Sequence, residues 1–190
     1  MRPAKISDEE LFRDLSDVFR RKGYDGASYS DLMAATGLVK ASLYHRFPGG
    51  KEEMVDAILS HVDRYFAGYV LKPAFEEGKS RERARKIARR LRQFYDSGKS
   101  WCLLDTLTLA DHPSTRAHAR RSMGFWIDAF TRLGHDAGLS AAIARRRSQG
   151  AVAAIEGGLV VSRVLGDRRP FLCALSDLPK QLSVAHREVW

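Results

Sequence analysis

Cysteine, long apolar runs and common catalytic motifs are scarce or missing in this sequence. Only Cys102 and Cys173 occur among the 190 residues, too few for a disulfide framework or a zinc site. No run of about 18 apolar residues is present, so we expect no membrane span. The six histidines form no HExxH pattern, and neither a Gly-rich phosphate loop nor a Gly-x-Ser-x-Gly elbow occurs. We therefore expect no enzyme activity, no metal and no cofactor.

Strand patterns are missing as well, because β-branched and polar residues nowhere alternate between turn signals. Apolar residues instead recur three and four positions apart, which predicts an all-α protein of about nine helices. The N-terminal segment has no apolar signal core, so we expect a cytoplasmic protein.

The net charge of +9 suggests a polyanionic partner, but the charge is unevenly distributed. Residues 1–60 carry 9 Lys and Arg against 10 Asp and Glu, whereas residues 61–190 carry 23 against 13. A DNA contact in the first sixty residues therefore depends on the placement of a few cations. The basic run from Arg81 to Arg92 has two possible interpretations: it forms a solvated helix face, or it contacts the DNA backbone.

Two short predicted helices around a glycine carry the main functional signal. The stretch SYSDLMAATGLVKASLYHRF has the pattern of a helix-turn-helix, with Gly37 in the turn. Leu32 and Leu43 are expected to lock the two helices together. The second helix then presents five residues to DNA: Lys40, Ala41, Ser42, Tyr44 and His45.

Two further residues are expected to contact phosphate at helix starts. Ser28 begins the first helix of the motif, with Asp31 three positions on in a capping-box pattern. Lys51 begins the next helix, where free N–H groups and the helix dipole favour an anion. Ser28 as a cap alone and Phe47 as a core residue are the structural alternatives.

The segment DLMAATGLVKASLYHRFPGGKEEMVDAIL resembles the DNA-binding domain of the TetR family of transcriptional regulators. The resemblance covers roughly residues 5–65, and it is carried by Gly37, Lys40, Ser42, Leu43, Tyr44, Phe47, Lys51, Glu52 and Glu53. The doubled glycine at 49–50 is similar to the LmrA/YxaF-like branch. Val39 departs from the pattern, since the family usually has a capping Ser or Thr there, and Ala41 replaces a common Gly.

The resemblance implies a homodimeric repressor that a small molecule releases from a palindromic operator of double-stranded DNA. It implies a helix-turn-helix domain over 1–50 (motif about 28–47), a connecting helix over 51–70, and a ligand-binding and dimerisation domain over 71–190. An apolar or aromatic effector is expected to contact Phe94, Trp101, Cys102, Leu104, Asp105, Phe125, Trp126 and Phe130. A redox or electrophile sensor using Cys102, and a regulator without a ligand, are the alternatives.

The subunit interface is expected on a stripe of mostly small residues in the penultimate long helix. Small side chains on one helix face allow another helix to approach closely. The stripe consists of Ala151, Ala154, Ile155, Gly158, Ser162 and Leu165. Packing of the same stripe within one chain is the alternative.

Overall fold

The computed structural model describes residues 6–108 and 113–184, and this part of the chain contains nine α-helices and no strand. The all-α prediction is therefore confirmed. The helices are α1 (Asp8–Gly26), α2 (Tyr29–Thr36), α3 (Lys40–Arg46), α4 (Gly50–Tyr65), α5 (Ser80–Phe94), α6 (Leu103–Thr108), α7 (Pro113–Asp136), α8 (Ala141–Leu165) and α9 (Arg169–Gln181). A π-helical turn, Phe66–Val70, continues α4, and Lys72–Phe75 and Asp96–Gly98 form 3-10 turns. No helix in the described ranges is long and apolar enough to cross a membrane.

Local sequence signals set the boundaries of the first helices. Ser7 caps α1 through a capping box with Glu10, and the spacing of three residues between a serine and a glutamate is typical of this motif. Gly23, a residue type that often ends a helix, instead marks a kink, where φ is 70° and the helix resumes to Gly26. Leu11, Leu15 and Phe19 on α1 are fully buried and form the centre of the N-terminal core.

The described residues form two compact units that do not follow a single cut in the chain. Residues up to Arg64 cluster with Cys102–Ala119, while Tyr65–Trp101 cluster with residues from Arg120 onward. The sequence places everything after residue 70 in one domain, but α6 packs against α1. Leu103 and Leu107 are buried in the core of the first unit. Only the tertiary contacts of α6 reveal this assignment, because its apolar residues fit either core.

In the second unit, α8 packs against α9, and this contact changes the interpretation of the predicted subunit interface. Ala151, Ile155, Gly158 and Ser162 are buried within the chain. A Cβ on Gly158 would lie 3.0 Å from the Cα of Phe171, and Ser162 Oγ accepts a hydrogen bond from the Phe171 N–H at 3.2 Å. Gly158 and Ser162 therefore pack α8 closely against α9 of the same chain, and the burial of Ala151 and Ile155 on the same stripe leaves them inside the chain. Ala154 is half-buried and Leu165 is exposed.

Candidate nucleic-acid interface

Helices α2 and α3 form a helix-turn-helix whose turn depends on a glycine. Gly37 has φ of 67°, in the left-handed region, and its N–H donates to Met33 O at 2.9 Å to close α2. Leu32 and Leu43 are fully buried, and Phe47 is 5% exposed. The apolar residues of the motif thus fix α3 on the N-terminal core and leave its other face free.

The exposed face of α3 carries all five residues that the sequence predicts to face DNA. Lys40, Ala41, Ser42, Tyr44 and His45 are exposed and lie within six consecutive positions around the buried Leu43. Ala41, Ser42 and His45 line a shallow surface depression together with Leu38 and Arg46. The face combines a cation, two hydroxyls, an imidazole and a methyl group, which can contact phosphates and base edges.

Tyr44 is held in place by Tyr29, a residue that the sequence analysis did not select. The two rings stack with centroids 5.1 Å apart and planes 14° apart. Lys40 Nζ lies over both rings, 5.3 Å from the centroid of Tyr29 and 5.8 Å from that of Tyr44. Burial, and then a side-chain hydrogen bond with Tyr44, raise the pKa of Tyr29 to about 12. The stacked Tyr29 ring restricts the Tyr44 side chain in the free protein.

Ser28 caps α2 with its full capacity to donate hydrogen bonds. Its hydroxyl donates to Asp31 Oδ2 at 2.7 Å, and its backbone N–H faces the same oxygen at 3.1 Å. In return, the Asp31 N–H donates to Ser28 Oγ at 3.2 Å. A phosphate oxygen needs a donor, so Ser28 could bind one only by giving up its bond to Asp31. The cap explains Ser28 without any DNA contact.

Asp31 belongs to the same network and is stabilised as a carboxylate. Lys22 Nζ lies 2.6 Å from Asp31 Oδ1, and this bond, followed by those from Ser28, lowers the pKa of Asp31 to about 2. The carboxylate therefore joins the end of α1 to the start of α2 at neutral pH.

Lys51 turns back into the protein, in contrast to its predicted contact with phosphate. Its Nζ donates to Tyr24 O at 2.8 Å and to Ala27 O at 3.1 Å, and it lies 4.7 Å from the centroid of the Tyr24 ring. Both carbonyls belong to the end of α1 and the segment before α2. Lys51 therefore connects α4 to the helices before it, with its ammonium group already bound.

The N-terminus of α4 is also occupied by groups of the protein. The Gly49 N–H donates to Glu53 Oε2 at 2.7 Å, and the Gly50 N–H donates to Phe47 O at 2.9 Å. The Tyr29 hydroxyl also lies close to this helix start, where a Cβ on Gly50 would approach it to 3.0 Å. The Gly49 and Gly50 amides are thus satisfied internally, and the helix start differs from an open anion site.

Arg46 is a second residue that sequence reasoning missed. It forms an ion pair with Asp8 in the first turn of α1, and this contact connects the end of α3 to the start of the chain's first helix. The two residues are 38 positions apart, so no local pattern could reveal the pair. Arg46 therefore contributes to the orientation of α3.

The predicted effector-binding residues fall into two groups. Phe94, Trp101, Phe125, Trp126 and Phe130 belong to the second unit, whereas Cys102, Leu104 and Asp105 belong to the first. The described residues contain no set of three His, Cys, Asp or Glu arranged to hold a metal.

In the second unit, aromatic rings form a continuous cluster. The Phe66 ring packs edge-on against Phe94 at 4.7 Å and stacks on Trp126 at 4.8 Å, and Trp126 contacts Phe130 at 6.5 Å. Trp126 is 4% exposed, and Phe130 is fully buried. Phe66 is a member that the sequence analysis did not select, because it looks like one more apolar position of the connecting helix.

Trp101, Phe125 and the two cysteines lie in different surroundings. Arg163 lies 4.9 Å from the centroid of the Trp101 ring, and the exposed Phe125 stacks on Phe75 at 5.8 Å. Cys102 is 5% exposed, whereas Cys173 is exposed, and neither forms a disulfide in the described residues. Burial shields the Cys102 thiol from oxidants, so the structure offers no support for the sensor alternative.

The fold and the exposed face of α3 define a helix-turn-helix DNA-binding protein. Residues 16–58 match the family model described as bacterial regulatory proteins, tetR family. The chain is 22% identical over 178 residues to an uncharacterized HTH-type transcriptional regulator, YxaF, of Bacillus subtilis, covering 91% of this chain and 93% of YxaF. It is 23% identical over 181 residues to the HTH-type transcriptional regulator LmrA of the same organism, covering 93% and 96%.

Solved structures agree with this assignment at the level of the fold. A TetR transcriptional regulator from Legionella pneumophila aligns with a TM-score of 0.82 at 17% identity, covering 94% of this chain and 98% of that one. A cysteine mutant of the TetR-family regulator CifR, described with a 26 bp operator DNA, aligns with a TM-score of 0.74 at 23% identity over 94% and 98%. These matches confirm the chain's resemblance to the TetR family of transcriptional regulators and to its LmrA/YxaF-like branch.

Proposed function

We propose that this protein is a homodimeric repressor that binds a near-palindromic operator through α3 and is released by a small apolar or aromatic ligand. The observation that carries the proposal is the division of α3 into a buried apolar side and an exposed polar side. The operator complex described for CifR supports the DNA-binding part. Such a regulator acts in the cytoplasm, where its operator lies.

Lys40, Ala41, Ser42, Tyr44 and His45 form the DNA-contacting face in this proposal. Ala41 lets the helix backbone approach base edges, whereas Lys40 and Tyr44 contact phosphates on either side. Stacking on Tyr29 reduces the freedom that Tyr44 would lose on binding. Ser28 and Lys51 support this face from within the protein, because their polar groups hold α2 and α4 in place.

Selection of bound duplexes from a random DNA pool tests the operator directly. We expect a palindrome whose half-sites are separated by about one helical turn, roughly 34–36 Å, or a multiple of it. Recovery of no motif, together with affinity that collapses at doubled salt, would contradict sequence-specific control.

Tyr44 allows a matched test of the reading face. Tyr44→Ala is expected to weaken operator binding about tenfold, while leaving the thermal unfolding midpoint nearly unchanged because the side chain is 42% exposed. Tyr69→Ala is the control, since Tyr69 is 38% exposed and lies in the other unit. Equal operator affinity of the two variants would remove Tyr44 from the interface.

The effector is proposed to bind at the aromatic cluster of the second unit. Rings of Phe66, Phe94, Trp126 and Phe130 provide an apolar surface that suits an aromatic ligand. A panel of aromatic compounds can be screened for a rise in melting temperature and for release of the selected operator. Compounds that stabilise wild type but not Trp126→Leu, and that release operator only from wild type, are expected. Release that persists in the variant would place the effector elsewhere.

The subunit interface is proposed on the face of α8 that α9 leaves uncovered. Ala153, Gly157, Val161 and Val164 follow one another at helical spacing, and Val164 and the adjacent Leu165 are 75% and 65% exposed. Exposed valine and leucine beside small residues suit a close helix–helix contact.

Sedimentation at micromolar concentration tests this interface. Val164→Glu should convert a dimer to a monomer, whereas Ala141→Glu adds the same charge at an exposed position outside the stripe and should leave a dimer. A dimer that survives Val164→Glu, or a wild-type monomer, would contradict the proposed interface.

A further inference from the structure

The second unit contains a groove between α5 and α9 that the proposed repressor mechanism does not use. Its volume is about 530 Å³, within the range of small-molecule sites. Arg81, Arg85 and Arg89 line the α5 side of the groove, while Leu175 and Pro179 line its floor on the α9 side. None of these residues belongs to the aromatic cluster.

The basic run of α5 divides into structural cations and cations that face this groove. Arg83 is 4% exposed, and it binds Asp136 at 2.7 Å and the Glu76 carbonyl at 2.7 Å. Arg90 donates to the Tyr69 carbonyl and covers its ring, and Arg92 donates to Ser97 Oγ at 3.3 Å. These three arginines therefore have partners that hold the fold together.

The remaining arginines form an unneutralised row. Arg81, Arg85 and Arg89 are exposed, lie four residues apart, and show no ion pair within residues 6–108 and 113–184. Residues four apart on a helix are neighbours, so their like charges repel and destabilise α5. A bound anion would remove this repulsion.

Neighbouring charges do not neutralise the row. Lys86 lies 3.7 Å from Glu76, and Lys180 lies 3.7 Å from Asp177, both long separations for exposed ion pairs. Among the described residues that line the groove, Glu82 is the one acid against five cations. The groove therefore has a positive potential that favours an anionic ligand.

The floor of the groove adds an apolar requirement. Leu175 and Pro179 on α9 and Ala88 on α5 lie between the charged rims, and Leu175 is only 4% exposed. Guanidinium groups bind phosphate and carboxylate through paired N–H groups, whereas the floor favours hydrocarbon. We propose that the α5–α9 groove binds a small amphipathic anion, whose phosphate or carboxylate contacts the arginine row and whose apolar part covers Leu175 and Pro179.

Calorimetric titration of the full chain at constant ionic strength tests this site. The probes are octyl phosphate and octanoate below their micelle concentrations, with inorganic phosphate and octanol as the head-group and tail controls. One octyl phosphate or octanoate per chain is expected to bind, at least tenfold more tightly than either control. Whichever of octyl phosphate and octanoate binds more tightly shows whether the site prefers phosphate or carboxylate.

Three variants distinguish a specific binding site from general charge attraction. Arg85→Gln should weaken binding about tenfold, because a charge-assisted contact is lost. Arg146→Gln removes the same charge from an exposed position of α8 and should leave binding unchanged. Ser176→Phe keeps every charge but fills the groove from the exposed Ser176, and it should abolish binding. Circular dichroism confirms that each variant is folded.

Several results would overturn the proposal. Binding that is equal in wild type and Arg85→Gln, or that persists in Ser176→Phe, would exclude the groove. Loss of affinity for random-sequence duplex DNA in Arg85→Gln, without any octyl phosphate or octanoate binding, would assign the row to nucleic acid instead. Because no operator enters the titration, failure of the repressor proposal would not affect the result.

Discussion

Replacing Lys51 by Met distinguishes a structural lysine from a phosphate-binding one. In the structure, the ammonium group donates to the carbonyls of Tyr24 and Ala27 and lies against the Tyr24 ring. Methionine keeps most of the chain length and the helix propensity but removes the charge and all three donors. We therefore expect the substitution to destabilise the N-terminal unit.

The size of the effect follows from the contacts that are lost. Hydrogen bonds from a charged donor contribute roughly 1.5–3 kcal/mol each, and an exposed cation–π contact adds about 0.5–1 kcal/mol. Lys51 is half-buried, so water can solvate the two carbonyls in the variant and recover much of this energy. The free energy of unfolding should fall by about 2 kcal/mol, which lowers the denaturant midpoint without changing the slope.

Two assays on Lys51→Met distinguish a structural lysine from a phosphate-binding one. Urea unfolding reports stability, and operator affinity measured over a range of salt concentrations reports the number of neutralised phosphates. If Lys51 is structural, the salt dependence at temperatures where the protein is folded should match that of wild type. Lys40→Met is the matched control: it loses only exposed cation–π contacts with Tyr29 and Tyr44, so the free energy of unfolding should fall by at most about 1 kcal/mol. The slope of log K against log salt should decrease by about 0.9 per protomer. Unchanged stability of Lys51→Met with a reduced salt slope would refute the reasoning and restore the direct phosphate contact.

Three further results are expected. The pKa of Asp31 is lowered from 3.8 to about 2, so the stability that its carboxylate contributes is complete above pH 3.8 and is lost as the pH falls through 2. Asp31→Asn should therefore flatten the curve of stability against pH in this range. A curve identical to that of wild type would contradict the lowered pKa. Gly158→Ala should lower the free energy of unfolding in urea by about 1–3 kcal/mol, because the new Cβ meets backbone atoms of Phe171. Gly124→Ala, in the interior of α7 where a Cβ meets no other atom within 4 Å, should raise it by up to about 1 kcal/mol. Val39→Ser should raise the free energy of unfolding by about 1 kcal/mol, since Val39 has the extended backbone of an N-cap but no capping side chain. A denaturant midpoint equal to that of wild type would refute this prediction.

Predictions from sequence patterns whose two partners lie within one turn of a helix were correct. Ser7 with Glu10 and Ser28 with Asp31 form the capping boxes that their spacing predicts, and Gly37 ends α2 in the left-handed conformation. Each of these features involves atoms three or four residues apart, so the sequence contains both partners in the correct order. The exposed face of α3 belongs with them, because the burial of Leu43 fixes the direction of its neighbours.

The residues whose contacts the sequence did not predict all have distant partners. Lys51 was expected to face DNA, but its acceptors lie 27 and 24 residues earlier in the chain. The stripe with Gly158 and Ser162 was expected to face a second subunit, and helix periodicity alone cannot say which helix covers an apolar face. Arg83 looks like its exposed neighbours in the sequence, yet Asp136, 53 residues away, holds it in a buried site.

The order of residues was therefore enough to predict the helices, the two capping boxes, the helix-turn-helix and the resemblance to the TetR family, since these depend on contacts between near neighbours or on the order of residue types. The tertiary structure decided which cations are structural and which are available. It also decided which face of α8 is covered by α9 and where α6 packs. The physical reason is that a long side chain such as Lys or Arg reaches several groups, and only the folded backbone places one of them within hydrogen-bonding distance.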